Sequence, residues 1–247
     1  LLSIGVILSS GNMVSVFRPG FGANMSGGYP YIYQQSGECS NLIDGFKLHP
    51  AYLDRQTQHS LVMEIRACLI AAPLFTPALP RSGKPFSVRM SNAGPLGWVS
   101  DQQGGYRYQA HHPVTGSPWP AIPDLILKIW DDLSGYPAPP EACLINWYGP
   151  DARMGLHQDK DEAARDAPVL SISLGDTALF RIGAAAKGSP TRSLWLSSGD
   201  VALLSGPARD SRHGIDRLIP GTSTLLDAPG RINLTLRRVT VPANPSV

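Results

Sequence analysis

The densest run of reactive side chains in this 247-residue chain is GLHQDKDE, residues 155–162, which gathers one histidine and three carboxylates in a sequence only 16% charged. His157 and Asp159 stand one residue apart, so an extended backbone sends both side chains out of the same face, where an imidazole and a carboxylate converge on one ion. That pair suits Fe(II), Mn(II) or Zn(II). Spacing alone does not establish a site: six histidines and 19 acidic residues give about 0.5 His-x-acid pairs by chance. A solvated charged turn accounts for the same run.

A third ligand narrows the choice. His49, His59, His111 and His112 lie upstream of the cluster; only His213 lies downstream, in RHGI after the DVALLSG segment. Two histidines and a carboxylate with open positions are the donor set of non-haem Fe(II) oxygenases, whose ion needs room for O₂ and a co-substrate. The segment RINLTLR supplies polar groups that fit such a co-substrate. Period-two alternation puts Arg231, Asn233, Thr235 and Arg237 on one face and Ile232, Leu234 and Leu236 on the other. Arginines facing a β interior are costly unless anions meet them; an edge strand with a wet polar face is the other reading. In INWY the same alternation aligns Asn146 with Tyr148. A dicarboxylate such as 2-oxoglutarate would use all of these groups, because guanidinium forks bind carboxylates bidentately.

These residues need a scaffold, and the rest of the chain describes one. With 43% hydrophobic residues, 25 Gly and 23 Pro, the composition suits one turn-rich domain with a sizeable core. Leu61, Ile65, Cys68 and Leu69 recur at helical spacing and predict a helix over about 51–71. A second helix is expected after Pro123, with Ile126, Ile129, Trp130 and Leu133 on one side and Gly135 ending it. From Cys143 onward come short β runs, CLINWY, PVLSISL, TALFRI, SLWL, DVALLS and RINLTLRR, separated by Gly, Pro and Asp turns. Helices followed by strands of this spacing predict a mainly β sandwich or jelly roll with flanking helices (α+β), whose interior can hold a ligand.

Composition also excludes classes. Cys39, Cys68 and Cys143 are odd in number and far apart, which argues against a disulfide framework or a zinc-thiolate site and fits a reducing cytoplasm. The opening LLSIGVILSS has no basic flank and is too short to span a bilayer, so neither export nor a membrane anchor is expected. Residues 1–41, rich in Gly, Ser and Tyr, read as a disordered or non-native extension. A net charge of +2 permits contact with nucleic acid without requiring it.

The ordered set SNAGPLGWVSD, GYRY, PWPAIP, NWY, LHQDKDE, SISLG, SGDVALLSG, RHGI and RINLTLR resembles the AlkB family of Fe(II)/2-oxoglutarate-dependent dioxygenases over about residues 84–239, more diffusely from 42. The resemblance implies a single domain over 42–247 on a double-stranded β-helix, with a nucleotide-recognition lid over about 84–120 and a jelly-roll core over about 140–239. It implies His157, Asp159 and His213 as iron ligands. Arg231 would pair with the distal carboxylate of 2-oxoglutarate, helped by Asn146, Tyr148 and Asn233, with Arg237 near the carboxylate that chelates the metal. In the lid, Trp98 would stack on an extruded base, Tyr106 would reach the nucleotide backbone, and Asp161 would sit near the base's polar edge. Lys187 and Arg209 are candidate phosphate contacts. Tyr108 and Trp119 read as packing residues, Met154 and Leu156 as pocket wall, and His111 and His112 as having no ligand role.

The implied activity is oxidative removal of N-alkyl groups from bases such as 1-methyladenine and 3-methylcytosine, with 2-oxoglutarate converted to succinate and CO₂ and formaldehyde released. Implied partners are alkylated DNA, preferentially single-stranded, and RNA as a further substrate, for a monomeric cytoplasmic protein. The alternatives are an oxygenase of the same chemistry acting on protein or lipid, and an inactive nucleic-acid binder. The sequence departs from the family pattern beside His213, where Ser211 and Arg212 replace the usual aromatic residues.

Overall fold

The structure, a computed structural model, describes residues 42–243; the expected extension over 1–41, Cys39 and residues 244–247 lie outside it. Strand β1 (Phe46–His49) leads into helix α1 (Arg55–Ala71). Three short strands, β2 (Arg89–Ala93), β3 (Gly97–Asp101) and β4 (Gly105–Gln109), precede helix α2 (Asp124–Leu133). The second half is β throughout: β5 (Ala142–Tyr148), β6 (Met154–His157), β7 (Val169–Gly175), β8 (Thr177–Gly183), β9 (Thr191–Leu196), β10 (Val201–Leu204), β11 (Arg212–Ile219) and β12 (Arg231–Arg237). A 3₁₀ turn over Gly206–Asp210 leads into β11. Among the described residues no helix is long and apolar enough to cross a membrane.

Two antiparallel sheets form the core: a six-stranded sheet in the order β1-β10-β7-β12-β5-β2 and a four-stranded sheet in the order β6-β11-β8-β9. The first half of the chain thus contributes edge strands as well as helices. Alternation sorts the large sheet's two faces. Ile232, Leu234 and Leu236 on β12, Leu170, Ile172 and Leu174 on β7, and Cys143 and Ile145 on β5 pack outward against the helices. Leu61, Ile65 and Cys68 of α1 and Ile126, Ile129 and Trp130 of α2 cover that face. The inner residues Leu144, Tyr148, Val169 and Leu204 meet Phe180, Ile182, Leu194, Leu196 and Ile215 of the small sheet. This is the jelly roll anticipated above, with a helical layer on one side.

Local chemistry fixes the helix ends. Asp54 accepts a hydrogen bond from the Thr57 amide at 2.7 Å, so α1 starts at Arg55 rather than at 51. Beyond α2, Gly135 adopts φ +62°, the left-handed conformation that lets the chain turn away. Ile126 is wholly buried between α2 and the large sheet. Ile126→Ala is expected to lower stability by about 2–5 kcal/mol in urea unfolding, from lost transfer energy plus the cavity left behind.

Two devices place the functional strands. β12 lies between β5 and β7, which rules out the wet edge strand as a reading of RINLTLR. The carboxylate of Asp176 accepts from the amides of Gly221, Ser223 and Gly230, pinning the loop that delivers Arg231. Gly214, beside His213, allows β11 to lie close on β6: a Cβ there would meet the Met154 carbonyl oxygen at 2.4 Å.

Candidate active site: a His-Asp-His cluster beside a buried arginine

His157 ends β6 and stands directly opposite His213 on β11. Asp159 follows two residues after His157, and its buried carboxylate lies 3.8 Å from the Nε2 of each histidine, through Oδ1 to His157 and Oδ2 to His213. The three candidate ligand atoms lie within 4.8 Å of one another, close enough to share one ion. Each imidazole directs Nδ1 at the carbonyl two residues earlier, His157 at Gly155 (2.9 Å) and His213 at Ser211 (3.3 Å). A carbonyl oxygen only accepts, so Nδ1 carries the proton and Nε2 is left as the lone-pair donor. Burial pushes the His213 pKa down to about 4 against the opposing pull of Asp159, which keeps the ring neutral. Burial disfavours ionisation of Asp159, yet the guanidinium charges facing it, Arg237 foremost and Arg209 behind it, favour the carboxylate, and the carboxyl is held well below its usual range. A neutral His213 beside an ionised Asp159 is the combination of protonation states that binding a divalent ion requires.

The triad borders a cavity of about 480 Å³ that runs between the sheets. Arg231, Asn146, Tyr148, Asn233 and Ser171 line it on one side. Arg231 is completely buried; one Nη donates to Ser173 Oγ at 2.8 Å, while its Nε has no partner. Among the described residues no carboxylate lies within ion-pair distance of it. Burial lowers its pKa to about 10, which leaves it cationic at neutral pH. The Asn146 Oδ1 is also buried and unpartnered. Burial pushes the Tyr148 phenol up to about 12, so it remains a neutral donor. The other Nη of Arg231 donates to the Leu196 carbonyl at 3.4 Å, but a buried guanidinium with no carboxylate partner is expensive. Its place in the wall of this cavity, beside the His157, Asp159 and His213 cluster, fits a dicarboxylate that chelates an ion at one end and meets Arg231 at the other. Ser171 on β7 completes this wall, and Ser173 on the same strand accepts from Arg231; small polar residues in an apolar run gave no signal of either role.

Arg237 is placed differently from Arg231. It forks onto Asp159, with Nη2 2.9 Å from Oδ1 and Nε 3.3 Å from Oδ2, and its Nε lies 3.4 Å from Glu162 Oε1. It therefore touches the candidate ligand carboxylate itself. Glu162, only 4% exposed, is a hub that the sequence reading passed over. It takes Arg209 Nη2 at 2.9 Å on one oxygen and the Tyr108 hydroxyl at 2.5 Å on the other.

This overturns the reading of Arg209 as a phosphate contact. The residue is 3% exposed, and beyond Glu162 its guanidinium donates to the carbonyls of Asp159 (2.9 Å) and Ala167 (3.0 Å). All its donor directions point inward, so no phosphate can reach it. Arg165 also donates to the Asp159 carbonyl, which clamps the ligand's backbone as well as its side chain.

The β3–β4 hairpin roofs the cavity. Trp98 is aligned by Asn92, which donates to the Trp98 carbonyl (3.1 Å) and accepts its amide (3.0 Å). Its ring stacks on Tyr106, with centroids 5.6 Å apart and planes at 21°, and Phe86 meets it edge-on. Trp98 Nε1 donates to Asp161 at 2.8 Å. Trp98, Tyr106, Asp161, Met154 and Leu156 all line the cavity. Trp119 is buried as expected. His112 is buried too, with its Nδ1 accepting the amides of Val114 and Thr115 and its Nε2 at the Pro73 carbonyl, while His111 is exposed; neither approaches the triad. Lys187 is exposed on the β8–β9 turn, just beyond Gly183, the cross-strand partner of Arg212. Beside His213, the Ser211 hydroxyl is buried without a partner and Arg212 donates to the Leu156 carbonyl at 3.4 Å.

Residues 45–237 match the 2OG-Fe(II) oxygenase superfamily. The chain is 52% identical over 197 residues to an alpha-ketoglutarate-dependent dioxygenase AlkB homolog of Caulobacter vibrioides, covering 80% of this chain and 89% of that protein. It is 39% identical over 183 residues to the alpha-ketoglutarate-dependent dioxygenase AlkB of Escherichia coli, covering 72% and 83%. Among solved structures, OsALKBH1 superposes with a TM-score of 0.68 at 31% identity, over 78% of this chain and 98% of that one. The chain belongs to the AlkB family of Fe(II)- and 2-oxoglutarate-dependent dioxygenases, and is an enzyme of that chemistry.

Proposed function

We propose that this enzyme repairs nucleic acid by oxidative dealkylation of bases such as 1-methyladenine and 3-methylcytosine, releasing formaldehyde as 2-oxoglutarate becomes succinate and CO₂. The observation that carries the reading is the single cavity that joins the His157, Asp159 and His213 triad to unpaired Arg231 on one side and to the Trp98–Tyr106 roof on the other. The relatives' names point the same way: one human protein 32% identical over 94 residues is called a nucleic acid dioxygenase.

In this reading the two imidazoles and Asp159 hold iron, and Arg231, Asn146, Tyr148 and Asn233 hold 2-oxoglutarate with its distal carboxylate on the guanidinium. Iron with 2-oxoglutarate and O₂ supplies the oxidising power that removes hydrogen from an N-methyl carbon. Arg237 keeps Asp159 ionised and aimed at the ion. Residues 84–120 act as the lid of a single domain over 42–247. Within the lid Trp98 offers its ring to an extruded base, Tyr106 reaches the nucleotide backbone, and Asp161 accepts from the base's polar edge, exchanging the bond it now takes from Trp98. Alkylation that blocks pairing also makes the base easier to extrude, which favours single-stranded DNA and admits RNA. Lys187 provides a phosphate contact at the rim. The enzyme acts as a cytoplasmic monomer.

Trp98→Ala is expected to weaken binding of a methylated oligonucleotide about 5- to 150-fold, the loss of one stacking platform worth roughly 1–3 kcal/mol. Lys187→Ala should weaken it less, independently of base identity, and reduce the salt dependence of binding. Fluorescence anisotropy across a salt series, with single- and double-stranded oligonucleotides, measures both. Unchanged binding by Trp98→Ala would refute the stacking role.

A further inference from the structure

Trp98 and Tyr108 are direct cross-strand partners in the β3–β4 hairpin. Their polar atoms reach consecutive residues of the ligand loop: Trp98 Nε1 donates to Asp161 at 2.8 Å, and the Tyr108 hydroxyl donates to Glu162 at 2.5 Å. The two links are unequal. Asp161 is exposed, so water competes for the first; Glu162 is buried, and a charge-assisted hydrogen bond away from water is strong and costly to break.

Glu162 in turn shares Arg237 with Asp159, while Arg209 donates both to Glu162 and to the Asp159 carbonyl. A continuous path, buried from Glu162 inward, therefore runs from the hairpin through Tyr108, Glu162 and Arg237 to the carboxylate of the triad. A packing tyrosine needs no hydroxyl aimed at a buried carboxylate. A solvated acidic run needs no two arginines closing over one of its members.

We infer that Glu162 is a positioning residue, latched to the hairpin by the Tyr108 hydroxyl, so that loading the metal and 2-oxoglutarate orders the hairpin before any nucleic acid arrives. Ordering one end of a tethered pair reduces the freedom left to the other, and the coupling is reciprocal. That the ordered surface receives a base rests on the function proposed above; the latch itself does not.

The test is hydrogen exchange of the Gly97–Asp101 and Gly105–Gln109 amides in the full chain, with and without Mn²⁺ plus 2-oxoglutarate and with no oligonucleotide. Loading should slow exchange in the wild-type hairpin about fivefold or more, at the lower end of typical coupling. In Tyr108→Phe the slowing should fall below about twofold. That variant loses one hydroxyl and leaves Glu162 paired with both arginines, so it is expected to fold. Tyr136→Phe, which removes a surface bond to Asp166, should respond as the wild type does.

An indifferent wild-type hairpin overturns the latch, whatever the variants do. So does a Tyr108→Phe hairpin protected as fully as the wild type. In a second arm, the same loading should tighten a methylated oligonucleotide about fivefold or more in the wild type, and below about twofold in Tyr108→Phe. Intact hairpin protection with no oligonucleotide binding would sink the nucleic-acid reading and leave the latch standing.

Discussion

His213→Ala is expected to reduce 2-oxoglutarate turnover to background and to abolish tight binding of Fe(II) or Mn(II), and His157→Ala and Asp159→Ala should do the same. The reason is geometric. The Nε2 atoms of His157 and His213 sit 3.8 Å from the two oxygens of Asp159, and both rings already spend Nδ1 on carbonyls two residues earlier in the chain. No other histidine among the described residues joins the cluster. Removing Asp159 also strands Arg237, a buried cation whose two shortest contacts are to that carboxylate. The Asp159 variant should therefore lose stability as well as metal. His111→Ala is the matching control, because that ring is exposed and away from the triad. His112 is unsuitable: its ring holds the 112–117 turn, so its loss should lower the melting temperature. Metal titration with thermal unfolding of each variant separates the two effects, and substantial turnover by His213→Ala would remove the ligand assignment.

Arg231→Ala should raise the 2-oxoglutarate requirement about 150- to 5,000-fold, equivalent to about 3–5 kcal/mol for truncating one partner of a buried, hydrogen-bonded charge pair. The guanidinium is fully buried, its Nε lacks a partner, and no carboxylate of the described chain lies within ion-pair distance, so a bound dicarboxylate is the counter-charge that accounts for it. Arg231→Lys should recover only part of the loss, since an ammonium cannot reproduce the planar fork. Metal affinity without co-substrate should stay near wild type in both. A 2-oxoglutarate titration unchanged in Arg231→Ala would leave the arginine as a purely structural member of β12.

Much of this site was legible because β structure writes its period into the sequence. Alternation in RINLTLR assigned Arg231, Asn233, Thr235 and Arg237 to one face, and the large sheet puts their apolar neighbours under the helices. His157 and Asp159 were recoverable from their spacing of two, although β6 ends at His157 and Asp159 lies just beyond it. What stayed hidden depends on pairing between distant strands. Nothing local in RMGLHQ or RHGIDRLI says that His157 will face His213 across β6 and β11. Burial of charge is equally non-local: Arg209 looked like a surface cation, yet Glu162, 47 residues away, draws it into the interior. Tyr108 reads as a packing residue from the sequence, but its hydroxyl has meaning only once Glu162 lies beneath the hairpin. The first-half strands were missed because β1 and β2 are short and become strands by docking on the edges of a sheet built mostly from the second half.

The most direct test follows 2-oxoglutarate decarboxylation and formaldehyde release together, with Fe(II) and O₂, in the presence of single-stranded oligonucleotides that carry 1-methyladenine or 3-methylcytosine or are unmethylated. The account predicts that only the methylated strands accelerate succinate formation, with about one formaldehyde per succinate, and that Trp98→Ala loses this acceleration while retaining the slow reaction seen without nucleic acid. Brisk 2-oxoglutarate turnover that ignores methylation, with no formaldehyde from any strand, would contradict it and reassign the cavity to a protein or lipid substrate.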